Sequence, residues 1–230
     1  MRNIRAVFIK QILSFFKNPA MFGTPAAFLA FPFVISLLLA DAEMDVIVAQ
    51  FVVMFVGVSI IGTSAGLIAE DRATMNLRFM GMAGVKPYQY LISTSGALLL
   101  ISLTALILFG LIGRHSGDAL ATFMVVAMLG AVNSMLFGIT LSLSKIAPFT
   151  PIIAMILGIG PMFSDANEVL SNIFHFTYTQ QVVNIIRGED LTVSIAEPLQ
   201  IILINLAVIL LAFVVMNMRT GLDGERIAKK

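Results

Sequence analysis

The 230-residue chain has no cysteine and no tryptophan, and only 12% of its residues are charged. The missing cysteines exclude disulfides, thiolate metal sites and a cysteine nucleophile. Without tryptophan, any aromatic belt at a membrane surface must use tyrosine and phenylalanine. The net charge is +1 and no basic tract carries interleaved aromatics, so nucleic acid is not an expected partner. There is no GxxxxGK[ST] phosphate loop and no HExxH pair. The two histidines, His115 and His175, are far apart in the chain, and no metal is expected. Ser142 and Lys145 spell S-x-x-K, but no partner motif accompanies them, so no catalytic residue is assigned.

What remains is apolar. The chain is 59% hydrophobic with a mean hydropathy of +0.99, more apolar surface than a soluble domain of this size can bury. Charge-free runs cover 20–40, 46–69, 87–113, 119–144, 146–164 and 199–218. Each is long enough to cross roughly 30 Å of hydrocarbon at about 1.5 Å per residue. The expected fold is an all-α membrane protein, a single domain over 1–230. Its six transmembrane helices fall near 20–40, 46–69, 89–112, 120–143, 147–163 and 199–217. Pro32 in the first span and Pro148, Pro151 and Pro161 around the fifth predict kinks or irregular ends.

Orientation follows from the basic residues. With both termini in the cytoplasm, Arg2, Arg5, Lys10, Lys17, Arg72, Arg78, Lys86, Lys145, Arg219, Arg226, Lys229 and Lys230 all fall inside. Only Arg114 and Arg187 of the 14 basic residues fall outside. Residues 2–17 place Asn3, Lys10, Ser14 and Lys17 on one helical face and Ile4, Phe8, Ile12 and Phe15 on another, the pattern of an interfacial amphipathic helix. A signal peptide cleaved at Ala40-Asp41-Ala42 is the alternative, but its leading region is long, and an uncleaved helix is expected. Residues 165–197 mix Val169, Leu170, Ile173 and Phe174 with scattered charges. They predict two short amphipathic helices dipping into the outer leaflet.

Small residues recur at helical spacing: Gly62 and Gly66 in the second span, and Gly130, Ser134, Gly138 and Ser142 in the fourth. They predict close helix packing, within the chain or across a dimer. Charge gathers instead at 70–86, between spans two and three. Read as one helix, 70–83 puts Ala73, Leu77 and Met80 on an apolar arc. Asp71 and Arg78 then lie together opposite, flanked by Met75, Phe79 and Met82. A mixed ionic and Met/Phe face of this kind suits insertion into a groove on another protein. With mid-membrane ionisable groups and a phosphate loop both missing, uphill transport by this chain would need an outside energy source.

In this layout the chain resembles the ABC-2 type transporter permeases, the membrane subunits of one group of ABC exporters. The matching parts are the helix at 2–17, Glu70-Asp71-Arg72, the run Val85-Lys86-Pro87-Tyr88-Gln89-Tyr90 leading into span three, and the excursion at 165–197. Where the family usually has Gly-Thr after the charged start, this chain has Ala73-Thr74. The resemblance implies that 70–83 holds a coupling helix, with Glu70, Asp71, Arg72, Met75, Arg78 and Phe79 docking on a separate ATPase subunit present in two copies. It also implies a permease homodimer in the inner membrane that exports an amphiphilic drug, peptide or lipid-like substrate. The chain would be no enzyme itself and bind no cofactor; ATP and Mg would sit on the partner. The rival readings are an ATP-independent channel or secondary carrier, and a non-transporting scaffold or sensor subunit.

Overall fold

The structure, a computed structural model, describes residues 2–38, 44–187 and 196–220. The candidate cleavage site at 40–42 lies outside them, as do the acids Glu189 and Asp190 and the basic tail from Arg226. All regular elements among the described residues are helical. In chain order they are α1 (Arg2–Lys17), α2 (Pro19–Leu38), α3 (Met44–Met54), α4 (Ile61–Ala73), α5 (Asn76–Met82), α6 (Pro87–Ile112), α7 (Gly117–Leu143), α8 (Thr150–Ile159), α9 (Glu168–Phe174), α10 (Tyr178–Arg187) and α11 (Ala196–Thr220). Six stretches are long and apolar enough to cross a membrane: Pro19–Leu38, Met44–Ala73, Pro87–Ile112, Gly117–Leu143, Ala147–Ser164 and Ala196–Met218. These coincide with the six charge-free runs, and mark a multi-pass membrane protein.

The second span is the longest. A π-helical turn, Phe55–Ile60, joins α3 to α4 without a break, so Met44–Ala73 runs for 30 residues. That is roughly 45 Å of helix against about 30 Å of hydrocarbon. The surplus carries Glu70, Asp71 and Arg72 past the apolar layer. Within the π turn, Gly57 crosses Gly158 of α8 backbone against backbone, with no room for a Cβ on either side. Prolines open each piece of the fifth span: Pro148 in the 3₁₀ turn Ala147–Phe149, Pro151 in α8 and Pro161 in the 3₁₀ segment Gly160–Ala166. At a first turn the missing N–H has no helical partner to lose. Pro25 and Pro32 both lie inside α2, which nonetheless runs unbroken.

α7 is the centre of the bundle and packs against α4, α6, α10 and α11. The small-residue stripe explains how. A Cβ on Gly138 would run into the Ser64 hydroxyl and the Ile61 carbonyl of α4, and one on Gly130 would press on Val56 and Val182. Ser134 shares a 2.8 Å hydrogen bond with the Tyr178 hydroxyl of α10, and Ser142 donates to its own helix at Ile139 O, 2.6 Å. This stripe is therefore consumed within the chain.

The excursion between the last two spans forms the two short helices α9 and α10. α10 is not a surface helix: Tyr178 through Val183 are all buried, against α3, α7 and α11. Its amides are partly satisfied by one another, Gln180 Nε2 donating to Asn184 Oδ1 at 2.9 Å. Burial also pushes the Tyr178 phenol above its ordinary range, which keeps the hydroxyl protonated.

Candidate functional site

The charged segment is built from the end of α4 outward. Thr74 donates its hydroxyl to Glu70 O at 2.7 Å, closing the last turn, and Met75 then adopts a left-handed backbone with φ 56°. The expectation of one helix over 70–83 is corrected here. The chain breaks at Met75 and restarts as the seven-residue α5, and the Asn76 amide donates back to Asp71 Oδ1 at 3.2 Å. Gly84, at φ 78°, then turns the chain into α6. At the start of α6 the Gln89 side chain accepts from the Lys86 backbone N–H at 3.0 Å.

The break separates the residues that the single-helix reading placed together. Asp71 is 1% exposed and faces into the protein, whereas Arg78 is exposed on α5. Leu77 is buried and Met80 half-buried, as the apolar arc requires, but Ala73 is exposed. Met75, Phe79 and Met82 are 58%, 59% and 68% exposed, so α5 presents a Met/Phe face with one cation.

Glu70, Asp71 and Arg72 each anchor this end of the bundle to a different neighbour. Consecutive helical residues point about 100° apart, so three in a row reach three elements. Glu70 accepts from the Asn18 amide at the α1–α2 junction, 3.2 Å, while Asn18 Oδ1 caps α2 by accepting from Ala20 N–H at 3.0 Å. Arg72 Nη1 donates to Ser142 O at 2.8 Å, placing a cation on the last carbonyls of α7, where the helix dipole is negative.

Asp71 is the hub. Its carboxylate pairs with the Lys10 ammonium and accepts from Gln11 Nε2 at 2.8 Å and from the Tyr90 hydroxyl at 2.9 Å. Gln11 also donates to Thr94 Oγ1 at 3.2 Å. Four helices thus meet on one carboxylate: α1 through Lys10 and Gln11, α4 itself, α5 through Asn76, and α6 through Tyr90. A buried charge is tolerable when it is paired and its lone pairs are filled, as here.

The pattern of α1 shifts accordingly. Val7, Gln11 and Phe15 are its most buried residues, and Lys10, from the expected polar face, turns to Asp71. The side against α6 is fixed by the Ser93 hydroxyl donating to Ile4 O at 2.9 Å. Gln11 and Asn18 were not singled out from the sequence, and Lys10 and Tyr90 were named for the polar face of α1 and the run into span three, not as partners of Asp71. An amide at Gln11 beside the apolar arc of α1 was the available signal.

The second small-residue pair behaves differently from the first. A Cβ on Gly62 would meet nothing within 4 Å, and one on Gly66 only the tip of Met21 at 3.4 Å. Neither packs closely on another helix of the chain. Both line an open-sided groove of about 480 Å³ between α2, α4 and α8.

At the opposite end, the His115 ring stacks on Phe123 with centroids 4.8 Å apart, and its Nε2 is buried without a hydrogen-bond partner. Burial lowers its pKa, against a smaller raising effect of Asp45. A depressed pKa adds stability that is present above the unfolded value of about 6.5 and is lost as pH falls through the folded value. The melting temperature is therefore expected to drop on acidification from about pH 7.5 to about pH 5. A His115→Phe variant is expected to show less of that drop, and thermal scans of the two proteins across this range check it. His175 lies 4.0 Å from Glu197, and no group of three metal-ligating side chains occurs among the described residues. Lys145 is exposed and the Ser142 hydroxyl is bonded within its own helix, so the S-x-x-K letters form no catalytic pair.

No protein-family model, curated protein or solved structure matches the chain.

Proposed function

We propose that this chain is the permease subunit of an ATP-driven exporter of the ABC-2 type, moving an amphiphilic drug, peptide or lipid-like substrate. It is energised by a separate ATPase subunit that seats on α5. One observation carries the reading: a short helix displays Met75, Arg78, Phe79 and Met82 while its base is fastened through Glu70, Asp71 and Arg72 to α1, α2, α6 and α7. A push on α5 would reach four other helices through stiff polar links rather than being lost in a loop. The six apolar runs contain no charge that could bind a driving ion, which favours an outside motor over an ion-coupled carrier.

In this reading the docking set divides into two roles. Met75, Arg78 and Phe79 touch the ATPase, with Met82 added, whereas Glu70, Asp71 and Arg72 transmit. Both termini and α1 lie on the cytoplasmic side, with α1 at the membrane interface, and two permease chains pair with two ATPase chains. ATP and Mg are held by the partner.

The test co-expresses and purifies the chain with a candidate P-loop ATPase subunit, sought in the neighbouring reading frames. Arg78→Glu combined with Phe79→Ala is expected to weaken the complex about tenfold or more, since aromatic and arginine anchors dominate interface energies. It should also lower stimulation of ATP hydrolysis, without changing the melting temperature of the permease. Unchanged association and stimulation would contradict the assignment.

A further inference from the structure

The groove holding Gly62 and Gly66 is not accounted for by helix packing or by the coupling segment. It is bounded by the first turns of α2, by α4 and by the start of α8, at the end of the bundle that carries α1 and α5. Its volume of about 480 Å³ is in the range of small-molecule sites. No Asp, Glu, Lys or Arg lines it. Ser59, on the same face as Gly62 and Gly66, also lines it. Ser59 is 2% exposed, and its hydroxyl makes no hydrogen bond within the protein. A buried hydroxyl without a partner is a rare and costly feature, and a bound polar group is one way to satisfy it.

We propose that this groove binds one uncharged, lipid-like amphiphile, its apolar chain lying over Gly62 and Gly66 and a hydroxyl or ester group bonded to Ser59. The uncharged lining disfavours an ionic headgroup, which would enter low dielectric without a counter-ion. The thioethers of Met21 and Met155 line the same groove and adapt to an irregular chain. A helix from a second copy fits less well. The N–H groups along its length are bonded within the helix, so its backbone has no free donor for Ser59. The inference rests on the six spans lying in a bilayer and not on ATP-driven transport, so it stands or falls without the ATPase partner.

The experiment uses the whole chain in nanodiscs and a monoacylglycerol with a diazirine in its acyl chain. After irradiation, adducts are expected from Val58 in the π turn to Ala69 on α4, and on α8 up to Met155. Gly62→Leu, whose side chain enters open space, is expected to remove these adducts while the melting temperature is kept. Ser59→Ala is expected to lower labelling by the monoacylglycerol about fivefold, the cost of one hydrogen bond, and to leave labelling by a diazirine-bearing alkane unchanged. Labelling spread evenly over lipid-facing residues such as Leu37 and Leu211, with no effect of Gly62→Leu, would overturn the proposal. So would a Gly62→Leu variant that keeps its adducts but shifts the monomer–dimer balance in cross-linking, because the groove would then belong to a second copy.

Discussion

Replacing Asp71 by alanine is expected to lower the stability of the isolated chain by about 3–5 kcal/mol, a large part of what a domain of this kind has. The carboxylate, on α4, is 1% exposed and gathers Lys10, Gln11, Asn76 and Tyr90 from three other helices. Its removal leaves one N–H of the Gln11 amide and the Tyr90 hydroxyl buried without that acceptor, and the Lys10 ammonium without its counter-ion. Asp71→Asn keeps an acceptor oxygen and is expected to cost less, about 1–3 kcal/mol. Adding Lys10→Met to Asp71→Asn should recover part of that loss, because neither partner is then an orphan charge. Denaturant or thermal unfolding of the wild type, both Asp71 variants, Lys10→Met alone and the double variant in one detergent measures the cycle. A loss below about 0.5 kcal/mol for Asp71→Ala, the range of an ordinary surface change, would mean that the hub does not hold the helices.

Gly138→Ala is the second. Alanine is the better helix former by about 1 kcal/mol, so an exposed glycine would gain from the change. Here the added methyl would sit on the Ser64 hydroxyl and the Ile61 carbonyl, and one of those is backbone. α4 must move away from α7, and the expected net loss is about 2–3 kcal/mol, an overpacking cost in excess of the propensity gain. Gly62→Ala serves as the internal control. It makes the same change one helix away where nothing lies within 4 Å, and should be neutral or stabilising. Opposite signs for the two substitutions, read from melting temperatures, bear out the packing; equal effects contradict it.

The spans were legible because hydrocarbon tolerates so few charges. Six charge-free runs became six apolar helices, and the prolines of the fifth span fell at its joints. The α7 stripe was legible as packing for a related reason: small residues four apart leave a groove that a neighbour fills. Gly62 and Gly66 have the same spacing and the opposite outcome, since which face of α4 turns to α7 is decided by the whole bundle. The break at Met75 carried no glycine or proline to announce it. It arises from the Thr74 hydroxyl and from the pull of Asn76 on Asp71. The inward turn of Asp71 was hidden because its partners Lys10 and Gln11 precede it by some sixty positions, and Tyr90 lies beyond the following helix.

That relocation changes what the charged segment offers a partner. The acid that looked most suited to an external ion pair is spent inside, and the exposed face left to α5 is Met75, Arg78, Phe79 and Met82. Recognition there would rest on apolar contact with one cation, an arrangement in which aromatic and methionine side chains fill a pocket and the rim contributes little. Variants at Asp71 and at Phe79 should therefore fail differently, the first by loss of folding and the second by loss of partner alone.

The most direct measurement exploits the absence of cysteine from the chain. Single-cysteine variants at Phe79 and Met82, with Leu211 as a lipid-facing control, are each reacted with a short photo-cross-linker in membranes containing a P-loop ATPase that co-purifies with the chain. Adducts to the ATPase are expected from positions 79 and 82 and none from 211, with the yield at 79 changing when ATP is added. Equal yields at all three positions, or none at 79 and 82 from a complex that still co-purifies, would contradict the assignment of α5 as the place where the motor grips the membrane domain.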